Sequence, residues 1–346
     1  MNRKEKQKKT TYGVAVIGCG HMGEEHLKHI YCCPGIRIRC VCDLDPVRAE
    51  KVAWKYRADA IEADAQKCIA RPDVDIVIIA TYPSTHLPLL KLCIQHKKHV
   101  ICEKPIASNL HDGEEFVNLV KSNPEVKVLV GHILRHNQTY KIVADMIHSG
   151  AIGKPVVMRM TQNHHCMNWE RYLTLLEETS PVIDCGVHYL DVMQWFTGEK
   201  VSGVSGVGVR TEQDVPEGKL NYEMITVTMS GGSVGFYEAG WTKTISSNNT
   251  KEFVGPKGNI RIIFCKDRQS HQEEGDLIEY YSLEDRSYHS INVIAERKPT
   301  DIQLECLISM IENDSPATPT IDEVYESFRI AVKADELIKQ RQEVRL

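Results

Sequence analysis

Three side chains in this sequence have the types and surroundings to move protons. Lys104 sits inside Glu103-Lys104-Pro105, directly after the apolar run His99-Val-Ile-Cys102. A partly desolvated lysine at the carboxyl end of a buried strand has a lowered pKa and can serve in proton transfer. An ordinary surface lysine after a strand has the same signature. Asp184 and His188 are four residues apart, so on a helix they lie on one face. There they make a base and its orienting carboxylate, or simply a helix start with Asp184 near the cap. A binding chemistry is carried by Gly18-Cys19-Gly20-His21-Met22-Gly23, which follows Val14-Ala-Val-Ile17. In G-x-G-x-x-G between a strand and a helix, the first glycine makes a tight turn and the second lets the backbone approach a pyrophosphate. The third lets helix and strand pack closely, and the helix N-terminus turns its N–H groups toward the anion. Cys40-Val41-Cys42-Asp43 closes the next apolar run, with an acid where the ribose diol of NAD needs one. Such a carboxylate repels a 2′-phosphate, so the expected cofactor is NAD. Arg48, the nearest basic residue, reads as helix surface.

The elements that must hold these residues follow from periodicity. Residues 12–18 read as a strand, 22–31 as a helix and 36–42 as a second strand. Asp45-Pro46 opens a helix with proline in its first turn. Asp75–Ala80 is a continuous apolar run, expected of a strand buried on both faces of a parallel sheet. Helix 84–96, strand 99–102, helix 110–123 and strand 126–130 complete an alternating pattern that predicts an α/β, doubly wound Rossmann sheet. Beyond residue 131 the pattern becomes strand-rich: a helix at 138–149, a strand at 156–162 and a helix at about 185–197. Strands at 202–209, 223–229, 233–239, 251–254, 259–264 and 277–282 follow, with a hairpin at Gly231-Gly232. A last helix starts at Thr320, whose spacing to Glu323 fits a capping box. Its buried stripe is expected to be Val324, Phe328, Ala331, Ala334 and Ile338. The expected domains are 1–131, with a frayed tail over 1–10, and 132–346, an α+β domain with a large open sheet.

With 346 residues, 42% hydrophobic and 26% charged, the chain has room for two cores and an ordinary globular balance. A net charge of −5, with its basic cluster confined to Arg3–Lys9, argues against a nucleic-acid partner. Neither a secretory h-region nor an apolar run of membrane-spanning length is present, so a cytoplasmic protein is expected. Twelve cysteines without zinc-ligand spacing read as reduced thiols, mostly core. Glu273-Glu274-Gly275 reads as an exposed loop tip. The segment Gln162–Tyr172 leaves a strand carrying His164, His165, Cys166 and Trp169. Stacking and hydrogen bonding there would suit a glycoside ring. Adjacent histidines on an extended chain point to opposite faces, which argues against a shared metal.

Together these motifs resemble the Gfo/Idh/MocA family, the glucose–fructose oxidoreductase and inositol dehydrogenase group. The matching pieces are the glycine loop; Ala80-Thr81-x-Pro-x-x-His86; Lys98-His99-Val100-x-x-Glu103-Lys104-Pro105; Gly150-x-Ile-Gly153; and Asp184-x-Gly-x-His188-x-x-Asp191. The resemblance implies a Rossmann domain followed by a domain with a large, mostly antiparallel sheet that commonly forms oligomer contacts. It admits a cis Lys104–Pro105 bond. It implies dinucleotide contacts at Gly18, Gly20, His21, Met22, Gly23, Asp43, Thr81, His86, Glu103 and Lys104. Catalysis falls on Lys104, Asp184 and His188, and substrate contacts on those three with Arg135, His164, His165 and Trp169. No metal is expected. The chain departs from the family where Tyr82-Pro83 replaces the usual Pro-Asn. Thr179-Ser180-Pro181-Val182-Ile183 likewise replaces a glycine-rich stretch, so substrate contacts do not carry over. The expected reaction is hydride transfer between a secondary alcohol of a sugar, inositol or glycoside, the glycoside 3-OH included, and the nicotinamide. A keto-sugar or imine reductase, or a non-catalytic dinucleotide sensor, remains the alternative. The expected partners are a small polyol or sugar and further copies of the chain, with no nucleic acid and no membrane.

Overall fold

A computed structural model describes residues 10–268 and 274–340. The basic tail and Glu273 of the expected loop tip lie outside the described residues. The chain divides into two compact units, Met1–Ile133 with Lys298–Tyr325, and Leu134–Arg297 with Glu326–Leu346. A single cut after residue 131 therefore misses a return of the chain to its first unit.

The first unit runs β1 (Tyr12–Ile17), α1 (His21–Ile30), β2 (Ile36–Cys42), α2 (Pro46–Tyr56), β3 (Ile61–Glu62), α3 (Ala65–Ala70), β4 (Ile76–Ile79), α4 (His86–Gln95), β5 (His99–Cys102), α5 (Leu110–Ser122) and β6 (Val128–Val130). Its six strands are all parallel, in the order β3-β2-β1-β4-β5-β6. Ile76, Val77, Ile78 and Ile79 are each 0% exposed, because helices cover both faces of the sheet. The register has a direct consequence for function. Ile17 pairs with Cys42 and Ile79, Ile79 with Cys102, and Cys102 with Val130. The strands therefore end in line, and Gly18, Asp43, Ala80, Glu103 and Gly131, each one residue further on, share one carboxyl edge. Asp45 caps α2 by accepting from the Val47 and Arg48 N–H groups, with Pro46 in the first turn as expected.

The second unit contains α6 (Gln138–His148), β7 (Val157–His165), α7 (Trp169–Glu178), α8 (Pro181–Asp184), α9 (Gly186–Thr197), β8 (Val201–Val209), β9 (Tyr222–Met229), β10 (Val234–Thr242), β11 (Lys251–Gly255), β12 (Gly258–Ile263), β13 (Asp276–Ser282) and β14 (Ser287–Val293). Its eight strands run β14-β13-β12-β11-β7-β10-β9-β8, antiparallel throughout except for the β7–β10 pair. Met158, Met160, Tyr237, Trp241 and Phe253 form the buried face of this sheet. Phe196 of α9 packs on Tyr140 of α6 and on Phe253.

The chain ends in α10 (Thr300–Asn313) and α11 (Ile321–Gln340). Leu304, Leu307 and Met310 of α10 join the core cluster that holds Val14, Leu27, Ile30 and Val52. The capping box at Thr320 is formed, with Thr320 N–H donating to Glu323 and Glu323 N–H donating to Thr320 Oγ1. Val324, Phe328, Ala331, Ala334 and Ile338 are all buried. The sequence reading omits β3, α3, α7, β14 and α10. Only Val293 of β14 is buried, so that edge strand shows little alternation.

Candidate functional site

In the first unit the glycine loop is fixed by backbone. Gly18 has φ +87, and a Cβ there would lie 2.5 Å from the Ala80 carbonyl oxygen. A Cβ on Gly23 would lie 1.8 Å from the Gly18 carbonyl oxygen, so only glycine lets α1 pack down on the turn. Gly20 is the N-cap of α1 and has no side-chain cap. No heavy atom lies within 4 Å of a Cβ built there. This open cradle over a helix N-terminus fits the approach of a dinucleotide pyrophosphate. The Cys19 thiol between the glycines is pushed up to about 12 by burial and by the Asp43 charge, so it adds no negative charge near the cradle.

Asp43 is more committed than the sequence suggests. Its Oδ2 accepts from Cys19 N–H at 2.7 Å and its Oδ1 from Asp45 N–H at 2.9 Å. Arg48 donates to both oxygens, at 3.2 and 3.4 Å, and pairs with Asp45 as well. Arg48 is therefore not mere helix surface, because it competes for the carboxylate that a ribose diol would use.

Further along the same edge, the Lys104–Pro105 bond is cis. Lys104 is half-buried, while the other residues of 101–107 are buried. Its neighbour Glu103 is buried and accepts from His26 Nε2 at 2.8 Å. Burial alone would raise the Glu103 carboxyl. The His26 hydrogen bond, with the charges of His26, Lys104 and Lys298, outweighs burial and holds the carboxyl below its ordinary value. Gly131 presses on this carboxylate, with a built Cβ 2.9 Å from Oε2. His86 is 0% exposed, with Nδ1 2.9 Å from the Pro105 carbonyl oxygen and Nε2 3.2 Å from that of Thr81. Burial pushes its pKa down. Glu103 and His86, both expected as cofactor contacts, are buried at this edge and hold its loops. Thr81, half-buried, shares a hydrogen bond with Thr85.

In the second unit, the helix expected from 185 starts earlier and is broken. Ser180 caps α8 through the Ile183 N–H, with Pro181 in the first turn, and Cys185 joins α8 to α9. Asp184 thus ends one helix and His188 lies in the first turn of the next. Across 181–193, Asp184 and His188 are the two residues that are not buried. Behind them lie buried ionisable side chains. Glu223 accepts from the Val182 N–H of α8 at 3.1 Å. Burial, and then the neighbouring Asp335 charge, push the Glu223 carboxyl well up, against the hydrogen bonds from Val182 and Ser180. Glu223 Oε1 and Asp335 Oδ1 are buried without partners, and a proton held on Glu223 can serve both. Asp335 Oδ2 is paired with Lys339 at 2.6 Å. Lys251, 0% exposed, donates to the Thr161 and Thr250 carbonyls and to Asn249, beneath the Tyr189 ring at 4.3 Å.

Arg135, expected to meet substrate, is buried and makes two hydrogen bonds of 2.8 Å to Asp191. Its guanidinium lies over the Trp195 ring. The expected strand end at 162 is also revised, because β7 continues to His165. His164 is half-buried and bonded to Tyr172 Oη and Gln162. His165 is exposed and bonded to the Ile245 carbonyl. Trp169 donates to Asp214 under the Lys243 ammonium. The Cys166 thiol is pushed up to about 12 by burial. Among the described residues, a set with metal-ligand spacing gathers elsewhere, at His111, Asp112 and Glu115. Glu115 there is paired with Lys91 and Asp112 with Asn109. No helix among the described residues is long and apolar enough to cross a membrane.

Sequence reasoning missed His26, the Asp191 partner of Arg135, and Glu223. His26 had a signal, lying three residues past Gly23 and one before Leu27 in the buried stripe of α1. The other two have none, since each pairs with a partner distant in sequence.

Residues 12–132 match the model of an oxidoreductase family with an NAD-binding Rossmann fold, and residues 140–261 match the Gfo/Idh/MocA C-terminal domain. The chain is 29% identical over 253 residues to the inositol 2-dehydrogenase of Rubrobacter xylanophilus, covering 72% of this chain and 70% of that one. The myo-inositol 2-dehydrogenase of Lactobacillus plantarum superposes with a TM-score of 0.79 at 18% identity, over 95% of this chain and 97% of the other. An oxidoreductase from Agrobacterium radiobacter in complex with NAD+, L-tartaric acid and magnesium gives 0.79 at 20% identity, over 96% and 97%. At these identities the structural likeness speaks to the fold.

Proposed function

The chain belongs to the Gfo/Idh/MocA family of NAD-dependent oxidoreductases, and from that premise we propose that it oxidises a secondary alcohol of a cyclic polyol or sugar. One observation carries the reading. The in-register strand ends bring the open Gly20 cradle and the solvent-reaching Lys104 to a single sheet edge. Ligands of parallel sheets bind at such an edge.

NAD, when bound, supplies the acceptor for the hydride that leaves the carbinol carbon. The chain's own residues handle the proton. His188 takes the hydroxyl proton as general base, imidazole being the side chain that titrates nearest neutral pH. The role we assign to the Lys104 ammonium is to stabilise the negative charge that develops in the reaction. Asp184 orients the substrate. The alcohol becomes a ketone, with one hydride and one proton removed. Base and stabiliser can be exchanged between His188 and Lys104, and pH–rate profiles of the two variants assign them. Half-buried His164 and Trp169, with Tyr172, and the exposed His165 are the proposed sugar-facing groups of the second unit.

We further propose a cytoplasmic homo-oligomer. The twelve free thiols suit a reducing compartment. Val157, Val234, Val207 and Val209 are exposed at 42, 41, 47 and 49% on the open face of the large sheet, where light scattering can test for self-association.

The deciding experiment is a screen of inositols, aldoses and glycosides for reduction of NAD, with NADP in parallel. Turnover of a cyclic polyol or sugar is expected, and Lys104→Ala should lower kcat by roughly 10²–10⁴. A chain that binds NADH but oxidises no polyol or sugar is a sensor or a reductase. Faster reduction of NADP than of NAD overturns the argument from Asp43.

A further inference from the structure

Lys298 comes from the return segment, 277 residues beyond His21, yet its Nζ lies 2.5 Å from His21 Nε2 and 3.5 Å from Met22 Sδ. His21 and Met22 begin α1, directly after the Gly20 cradle. The lysine therefore stands over the positive end of a helix dipole, where a cation is disfavoured and an anion is favoured. The ammonium donates to the His21 Nε2 lone pair, so the imidazole there is neutral and the lysine carries the positive charge at this end. The placement is also firm. Thr300, two residues on, is fully buried and donates to the Glu25 carbonyl of α1. Leu304 and Leu307 of α10 then pack in one core with Leu27 and Ile30 of α1. The Lys298 charge also acts on the Glu103 carboxyl, whose Oε1 accepts from His26.

We propose that Lys298 is a ligand of the dinucleotide pyrophosphate, a cation carried to the glycine loop by the return segment. This rests on the dinucleotide reading of the cradle. The arrangement combines three donors of different kinds: backbone N–H groups of the first turn, the His21 ring and a lysine from a distant part of the chain. The lysine makes charge-assisted contacts to phosphate oxygens and relieves the like-pole placement at the helix end.

The test is binding of NADH and of ADP-ribose to the full chain, without substrate, by titration of protein fluorescence across a range of salt. ADP-ribose keeps the pyrophosphate and lacks the nicotinamide. Lys298→Met should weaken both ligands by a similar factor of about ten and flatten the salt dependence of both. Lys298→Arg should retain most of the affinity. If the methionine variant melts early, Lys298→Gln provides the same comparison. Unchanged affinity and salt dependence in a folded neutral variant overturn the proposal. A loss for NADH without one for ADP-ribose also overturns it, because it places the lysine's effect on the nicotinamide half. Wild-type protein that binds no dinucleotide overturns the functional reading itself. Binding that ignores Lys298 overturns only this inference.

Discussion

The glycine loop of the first unit and the Asp184–His188 helices of the second are made in opposite ways. The loop is positioned by backbone: strand ends in register, a positive φ at Gly18 and a contact at Gly23 too close for any Cβ. The helices are positioned by side chains, through the buried Arg135–Asp191 pair, Glu223 on the Val182 N–H and Lys251 beneath Tyr189. A region held by backbone tolerates exchange of its surface side chains but not an added methyl group. A region held by buried charges tolerates loop variation, yet it depends on protonation and on partners distant in sequence. The family's usual glycine-rich stretch is replaced here by Ser180-Pro181-Val182, and α8 is capped and held nevertheless.

The largest expected effect tests the side-chain half. Arg135→Met leaves the Asp191 carboxylate buried without its partner and should cost about 3–5 kcal/mol, read by denaturant unfolding. Asp191→Asn combined with Arg135→Met should recover much of that loss. If the single variant is as stable as wild type, the pair does not hold the second unit. Gly23→Ala tests the backbone half. Its Cβ would sit 1.8 Å from the Gly18 carbonyl oxygen, so α1 must lift from the turn. About 3 kcal/mol of stability and most NADH affinity should go together. Retained NADH affinity in that variant would mean that the loop is more compliant than its contacts imply.

This contrast explains what could be read in advance. The Rossmann half was legible because continuous apolar runs and glycine spacing are local signals, and local signals fixed β1, β2, β4 and β5 to within about two residues. The carboxyl edge was legible for the same reason. The pairing of Arg135 with Asp191 was not legible, because the neighbours of Arg135 in sequence carry no trace of Asp191. Asp184 and His188 were found by spacing, but the break at Cys185 was not, since it depends on where Ser180 and Pro181 start the preceding turn. The return of α10 to the first unit was invisible, because its Leu304, Leu307 and Met310 stripe does not say which core it joins.

A smaller effect separates the regions by pH. The folded Glu223 carboxyl is raised, first by burial and then by Asp335. It holds a proton that the unfolded chain releases above its ordinary carboxylate range, so its contribution is fully present in acid. That contribution is lost as pH rises through the raised folded value. Thermal stability should therefore fall by several degrees from about pH 6 to about pH 9, and Glu223→Gln should flatten that fall. An equally steep fall in the glutamine variant would move the cause elsewhere.

The smallest effect concerns a place on the glycine-loop side where side chains also do the positioning. Asp43 already accepts from two backbone N–H groups, and Arg48 takes further lone pairs on both oxygens. A ribose diol must compete with Arg48, while a 2′-phosphate would find in it a ready cation. Arg48→Ala should thus raise the preference for NAD over NADP by roughly threefold to fivefold, about the worth of one exposed ion pair. Asp43→Ser should move the preference the other way, because it removes the repulsion and frees the guanidinium. If Arg48→Ala leaves the ratio of the two dissociation constants unchanged, Arg48 serves only to brace Asp43. Cofactor choice would then follow from the Asp43 carboxylate alone.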